Sequence, residues 1–277
     1  MRVSKILTLY DIEFKRIKKI YFSTLGLLIL GNIVLFIFYL NLITKETENI
    51  LNIKGGLKLL KSNEAYRIVE SGEIIYSLYK LSSFFMILGI IWCLYYSLMI
   101  WYKDFFSKTK VAYTLFTLPL NKFNIFLSKL IIVVSFIYGV VITQHIIWIF
   151  QSLIIDAIVG MNITEIIDII NYNNYINIIW MGGLLYPIEI SMYYLIAPIE
   201  LVTVMFTGVM IHKSFDKIGV FLAILYIILT GFFYIFISRN CISYTDELLK
   251  GHIFYYITVE TLSLIMSYKL LNKRIQV

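Results

Sequence analysis

Six stretches of this sequence are apolar over lengths that can cross a bilayer, and no other feature restricts its fold as strongly. They are Tyr21–Leu42, Leu81–Tyr102, Leu130–Ile155, a segment at 190–211 within the longer run Ile178–Ile211, Ile218–Ser238 and Ile253–Leu271. About 20 residues at 1.5 Å each cover a hydrocarbon core of about 30 Å. Backbone groups in lipid need internal partners, so spanning segments are helices or closed barrels. Barrel strands alternate in polarity over about ten residues, and these runs do not alternate. The expectation is an all-α integral membrane protein of six transmembrane helices, forming one transmembrane domain over 1–277. Composition agrees, with 60% hydrophobic and 15% charged residues against about 45–50% and about 25% in soluble chains. Tyr21–Leu42 is too long for a signal-peptide core and no small-residue cleavage site follows it, so it is read as retained.

The net charge of +7 reports orientation rather than nucleic-acid binding. Lys and Arg concentrate on the cytoplasmic side of membrane proteins. An N-terminus inside puts six of them in Met1–Ile20, five in Lys103–Lys129, two in Lys213–Lys217 and three in Lys269–Val277 on that side, 16 of the 24 present. The contrary signal is the outer loop 43–80, which holds six, together with five Glu that weigh little in orientation. No Lys or Arg occurs between Lys129 and Lys213. Both termini are therefore expected inside.

Between the spans, three segments carry pattern. In residues 1–20, Ile6, Leu9, Tyr10, Phe14, Ile17 and Tyr21 recur at helical spacing, with Lys5, Lys15, Arg16, Lys18 and Lys19 among them. Such a helix either lies as an amphipathic elbow on anionic lipid of the inner leaflet or is a plain charged anchor for the first span. The outer loop has room for two short amphipathic helices, at Ile53–Leu60 and Ile68–Leu78, capping the outer mouth. The loop 103–129 contains Lys110–Leu118, enough for about two helical turns before Pro119 stops them. Val111, Leu115 and Leu118 share one face, a docking surface or a lipid-surface helix.

The stretch Tyr113-Thr-Leu-Phe-Thr-Leu-Pro-Leu-Asn-Lys122, followed by Ser128-Lys129 and a new span, resembles the type 2 ABC-exporter permeases, in which a Leu-Pro-x-x-(Lys/Arg) loop precedes the third of six spans. The amphipathic N-terminus, large first outer loop and inner C-terminus match that layout over nearly the whole chain. The resemblance implies a permease domain that pairs with a second copy or close paralogue and docks cytoplasmic ATP-binding subunits, which would carry the ATP and Mg. Val111, Tyr113, Leu115, Phe116, Leu118 and Pro119 would form the coupling helix, with Lys122 and Lys129 free to bind lipid phosphates. Within the family the chain is most similar to permeases of Gram-positive plasma membranes that export or resist amphipathic peptides, the phenol-soluble modulin exporters among them.

Ile178–Ile211 is 34 residues, or roughly 51 Å as one helix. It repeats a tripeptide, Pro187-Ile-Glu189 and Pro198-Ile-Glu200, whose eleven-residue spacing puts both Glu on one face if the helix continues through Pro198. Counting back from His212 puts Glu200 about 18 Å deep and Glu189 near the outer surface. Ionisable groups inside spans are costly and mark either a pathway or a paired structural site. Glu189, Glu200, Glu260 and the polar Asn32 are the candidates, with Tyr193 and Tyr194 near Glu200 as aromatic lining for a translocation path. For Glu189 and Glu260 the structural alternative is favoured, and Asn32 is more often helix-packing glue.

Enzyme signatures are missing. There is no Gly-x-x-x-x-Gly-Lys-Ser/Thr loop, no His-Glu-x-x-His and no Cys cluster, so ATP hydrolysis is expected on a separate subunit and no metal or cofactor in this chain. His145, following Gln144 inside a span, reads as a hydrogen-bonded helix contact, and Asn162-Ile-Thr164 is a short glycosylation-type match. Cys93 falls in the second span and Cys241 in an outer loop, giving no disulfide framework. The alternative to an ATP-driven permease is a membrane enzyme or accessory protein without ATP coupling.

Overall fold

A computed structural model describes residues 2–106, 121–162, 195–240 and 245–273. Among these residues there is no strand. In chain order the helices are α1 (Arg2–Leu51), a 3-10 turn (Gly56–Lys61), α2 (Asn63–Glu70), α3 (Glu73–Phe106), α4 (Lys122–Val159), α5 (Ala197–Ser214), α6 (Asp216–Asn240) and α7 (Thr245–Lys273). Four contain stretches long and apolar enough to cross a membrane: Leu7–Leu51, Glu73–Phe105, Lys122–Val159 and Lys217–Ser238. They coincide with the first, second, third and fifth expected spans. The fourth and sixth expected spans fall on α5 and α7, which are not among the four.

The helices overrun the apolar runs that nucleate them. The expected elbow is not a separate helix: residues 2–51 form one continuous α1. No proline interrupts it and its first glycine is Gly26, so nothing breaks the hydrogen-bond ladder after residue 20. Within the apolar stripe of residues 1–20, Leu9 and Ile17 are buried and the Phe14 ring is edge-on to Phe136 at 6.2 Å.

The outer segment also differs in its boundaries. Asn52 (φ 54°) ends α1 in the left-handed region. The Glu48 carboxylate then accepts the Gly55 and Gly56 backbone N–H groups at 3.1 and 2.9 Å. Ser62 caps α2 by accepting the Ala65 N–H. The expected helix Ile68–Leu78 is instead split, because Gly72 (φ 80°) terminates α2 and α3 begins afresh at Glu73. Leu60, Ala65 and Val69 are fully buried, so the segment is packed down.

The chain divides into two compact units, each discontinuous in sequence. The first comprises 1–18, 91–138 and 191–277. Its aromatic core joins α3, α4 and α5: Trp101 meets Phe206 edge-on at 5.7 Å, and Phe126 meets Phe206 at 5.5 Å. A second cluster of Val204, Ile237, Tyr255, Tyr256 and Val259 ties α5 to α6 and α7. The second unit comprises 19–90 and 139–190. There α3 and α4 approach closely at Gly89, where a Cβ would stand 2.9 Å from a Val140 methyl. The outward faces stay apolar. Ile218, Phe221, Leu229, Phe232 and Phe236 of α6 are exposed, as lipid-facing residues are.

Candidate functional site

Pro198 sits in the first turn of α5, where its fixed φ and missing N–H suit a helix start. From that start, Glu200, Thr203 and Thr207 fall at i, i+3 and i+7 on one face. α7 repeats the pattern with Glu260, Ser263 and Ser267. The two faces meet in parallel register. Thr203 Oγ1 lies 3.2 Å from Glu260 Oε1, and Thr207 Oγ1 lies 2.9 Å from Ser267 Oγ and 3.3 Å from the Ser263 carbonyl. α6 joins through Tyr226, whose hydroxyl is 2.5 Å from Ser263 Oγ. Small hydroxyl-bearing residues let such helices approach and bond across an apolar bundle.

Glu200 is 4% exposed, and the nearby Tyr255 hydroxyl of α7 donates to the Thr230 carbonyl of α6 at 3.2 Å. Glu260 Oε2 is shielded with no hydrogen-bond partner. The structure thus brings Glu200 and Glu260 into one seam, an apolar-walled line of carboxyls and hydroxyls that can hold protons or meet a cationic group. Glu189, Tyr193 and Tyr194 lie outside the described residues, as do all six coupling-helix residues, Val111, Tyr113, Leu115, Phe116, Leu118 and Pro119. Glu200→Gln keeps the side chain's shape and a polar end in the seam, and should leave the thermal midpoint in detergent nearly unchanged. Glu200→Leu leaves the Tyr255 hydroxyl its Thr230 carbonyl acceptor, so it should cost no more than about 1 kcal/mol.

Asn32 belongs to the second unit and to a different kind of cluster. Its amide donates to Gln144 Oε1 at 3.0 Å and to the Leu28 carbonyl at 2.9 Å. Ser82 donates to Asn32 Oδ1. It accepts in turn from Gln144 Nε2 at 2.6 Å and from the Trp148 indole at 2.8 Å. All four side chains are fully buried. Their donors and acceptors are used on one another, which is how polar residues fasten apolar helices. His145 Nδ1 lies 2.8 Å from the Val141 carbonyl one turn back in its own helix.

Sequence reasoning missed a third constellation, in the first unit. Lys129 is 0% exposed. Its ammonium donates to Glu13 Oε1 at 2.7 Å and Asp104 Oδ2 at 2.6 Å and sits 5.2 Å from the Trp101 ring centre. Arg16 reaches both carboxylates from the rim, Glu13 at 3.1 Å and Asp104 at 3.6 Å. Lys129 therefore does not bind a lipid phosphate as expected, because protein surrounds it. The signal was present: Glu13 stands between Leu9 and Ile17 on the apolar stripe, and Lys129 stands among Ile125, Phe126, Ile132 and Val133. A charge on an apolar face implies a partner charge on whatever covers that face.

Among the described residues no group of three or more His, Cys, Asp or Glu is placed to hold a metal ion. No protein-family model, curated protein or solved structure matches the chain.

Proposed function

We propose that the chain is the membrane-spanning subunit of an ATP-driven exporter in a plasma membrane. It crosses the bilayer six times with both termini inside, and it works as a pair with a second copy or close paralogue. The observation that carries this reading is the loop 103–129. It places an apolar face ending in Leu118-Pro119 and a basic Lys122 between two long apolar helices, as the exporter permeases do. Residues 111–119 then dock a cytoplasmic ATP-binding subunit, which supplies the hydrolysis that this chain, lacking a phosphate-binding loop, does not. The cargo proposed is an amphipathic cationic peptide. Apolar walls would accommodate its hydrophobic face, and Glu200 and Glu260 would supply the acidic groups for its cations. Asn32, engaged with Ser82 and Gln144, is assigned to packing.

Purification of the tagged full-length chain from its native membrane tests the reading directly. A P-loop ATPase should copurify in stoichiometric amount. Recovery of the chain without one would favour a membrane enzyme or accessory protein. The orientation is tested separately with single cysteines on a background lacking Cys93 and Cys241. In whole cells an impermeant thiol reagent should label position 58 and spare position 108. The reverse pattern would invert the topology.

A further inference from the structure

Asp104 lies near the C-terminal end of α3 and Lys129 two turns into α4, so each helix flanking residues 107–121 carries one member of the buried charge cluster. The other two members, Glu13 and Arg16, come from α1. Their contacts close a ring in which charge alternates: Lys129 to Glu13 at 2.7 Å, Glu13 to Arg16 at 3.1 Å, Arg16 to Asp104 at 3.6 Å and Asp104 back to Lys129 at 2.6 Å. We propose that this ring is a positioning clasp, which fixes the ends of α3 and α4 against the first turns of α1 and passes displacement of either end to α1.

A merely stabilising role explains the ring poorly. Apolar residues of the same volume generally hold a fold as well as a buried ion pair does. What short charge-assisted bonds add is geometry, since they weaken steeply with distance and misalignment where apolar packing tolerates sliding. Three of the four groups are nearly or wholly buried, while Arg16 is 40% exposed and makes the longest contact. Arg16 is thus the member of the ring that meets water, and its contact with Asp104 Oδ1 is an ion pair without a hydrogen bond. The clasp deepens the proposed function, because the ends it fixes are the stems of the proposed docking loop. Its geometry does not depend on that reading.

The test uses the full chain in nanodiscs, with Cys93 and Cys241 replaced and spin labels at the exposed positions Ile12 and Asn121. A control pair is placed at the exposed positions Ile224 and Leu262 of α6 and α7. The triple variant Glu13→Gln, Asp104→Asn, Lys129→Met keeps the volumes and removes three charges. Its thermal midpoint should come back close to the parent's and its control distance should match, while the width of the 12–121 distance distribution at least doubles. An unchanged 12–121 distribution, or broadening of both pairs together, would overturn the clasp. Should the triple variant fail to fold, Glu13→Asp keeps every charge and shortens one arm. It should shift the 12–121 mean, and an unmoved mean would sink the proposal. No ATPase enters the measurement, so a clasp that holds in a chain without an ATPase partner would leave this inference standing and remove the transport reading.

Discussion

Lys129→Met is expected to destabilise the protein by about 3–5 kcal/mol, the cost of breaking a buried ion pair by removing one partner. Asp104 and Glu13 are 1% and 5% exposed. Without the ammonium they face each other across the space it filled. Arg16 compensates only in part, because it is 40% exposed and screened by water. Methionine replaces the volume, so the loss measures charge rather than a cavity. The measurement is the midpoint of thermal unfolding in detergent, followed by the intrinsic fluorescence of the four tryptophans, Trp101 beside the cluster among them. Adding Glu13→Gln and Asp104→Asn to Lys129→Met should return most of the lost stability, because the one charge then left, on Arg16, is 40% exposed and solvated. A single variant as stable as the parent would mean that water reaches the cluster and solvates both acids.

The contrast between this cluster and the rest of the fold shows what the sequence could and could not reveal. The apolar runs were legible because lipid imposes one rule on a spanning segment, about 20 apolar residues in a helix. Their true ends were not. α1 extends from Arg2 to Leu51 because nothing in the flanking residues stops a helix once lipid-grade residues have nucleated it. Gly72 illustrates the opposite case: it divided the expected Ile68–Leu78 helix through a backbone conformation that periodicity does not register. The buried charges were written on the apolar faces, yet a hydrophobic count treats Glu13 as an interruption rather than as half of a pair. Glu200 and Glu260 were each visible as costly residues. Their meeting became readable only from a shared pattern, Glu-x-x-Thr-x-x-x-Thr on α5 and Glu-x-x-Ser-x-x-x-Ser on α7. Two helices that each carry an acid followed by hydroxyls at i+3 and i+7 can satisfy one another when parallel, and that correspondence pairs them where hydropathy does not.

On the proposed function, Leu115→Asp and Phe116→Asp are each expected to abolish association with the proposed ATP-binding subunit while leaving the chain folded. The apolar face proposed for docking is short, so one or two anchors carry most of its contact energy. Burying such a side chain is worth roughly 1.5–3 kcal/mol. A carboxylate in its place loses that and adds the desolvation of an unpaired charge. Even about 4 kcal/mol corresponds to nearly a thousandfold in affinity. Lys122→Ala is the matched control. Lys122 lies outside residues 111–119 in sequence, and its ammonium donates to the Leu271 carbonyl of the same chain at 3.5 Å. Pull-down of the ATPase from detergent extracts should therefore fail for both Asp variants and persist for Lys122→Ala, with all three chains eluting at the parent position in size-exclusion chromatography. Recovery of the ATPase with both Asp variants would place the docking surface elsewhere on the inner side.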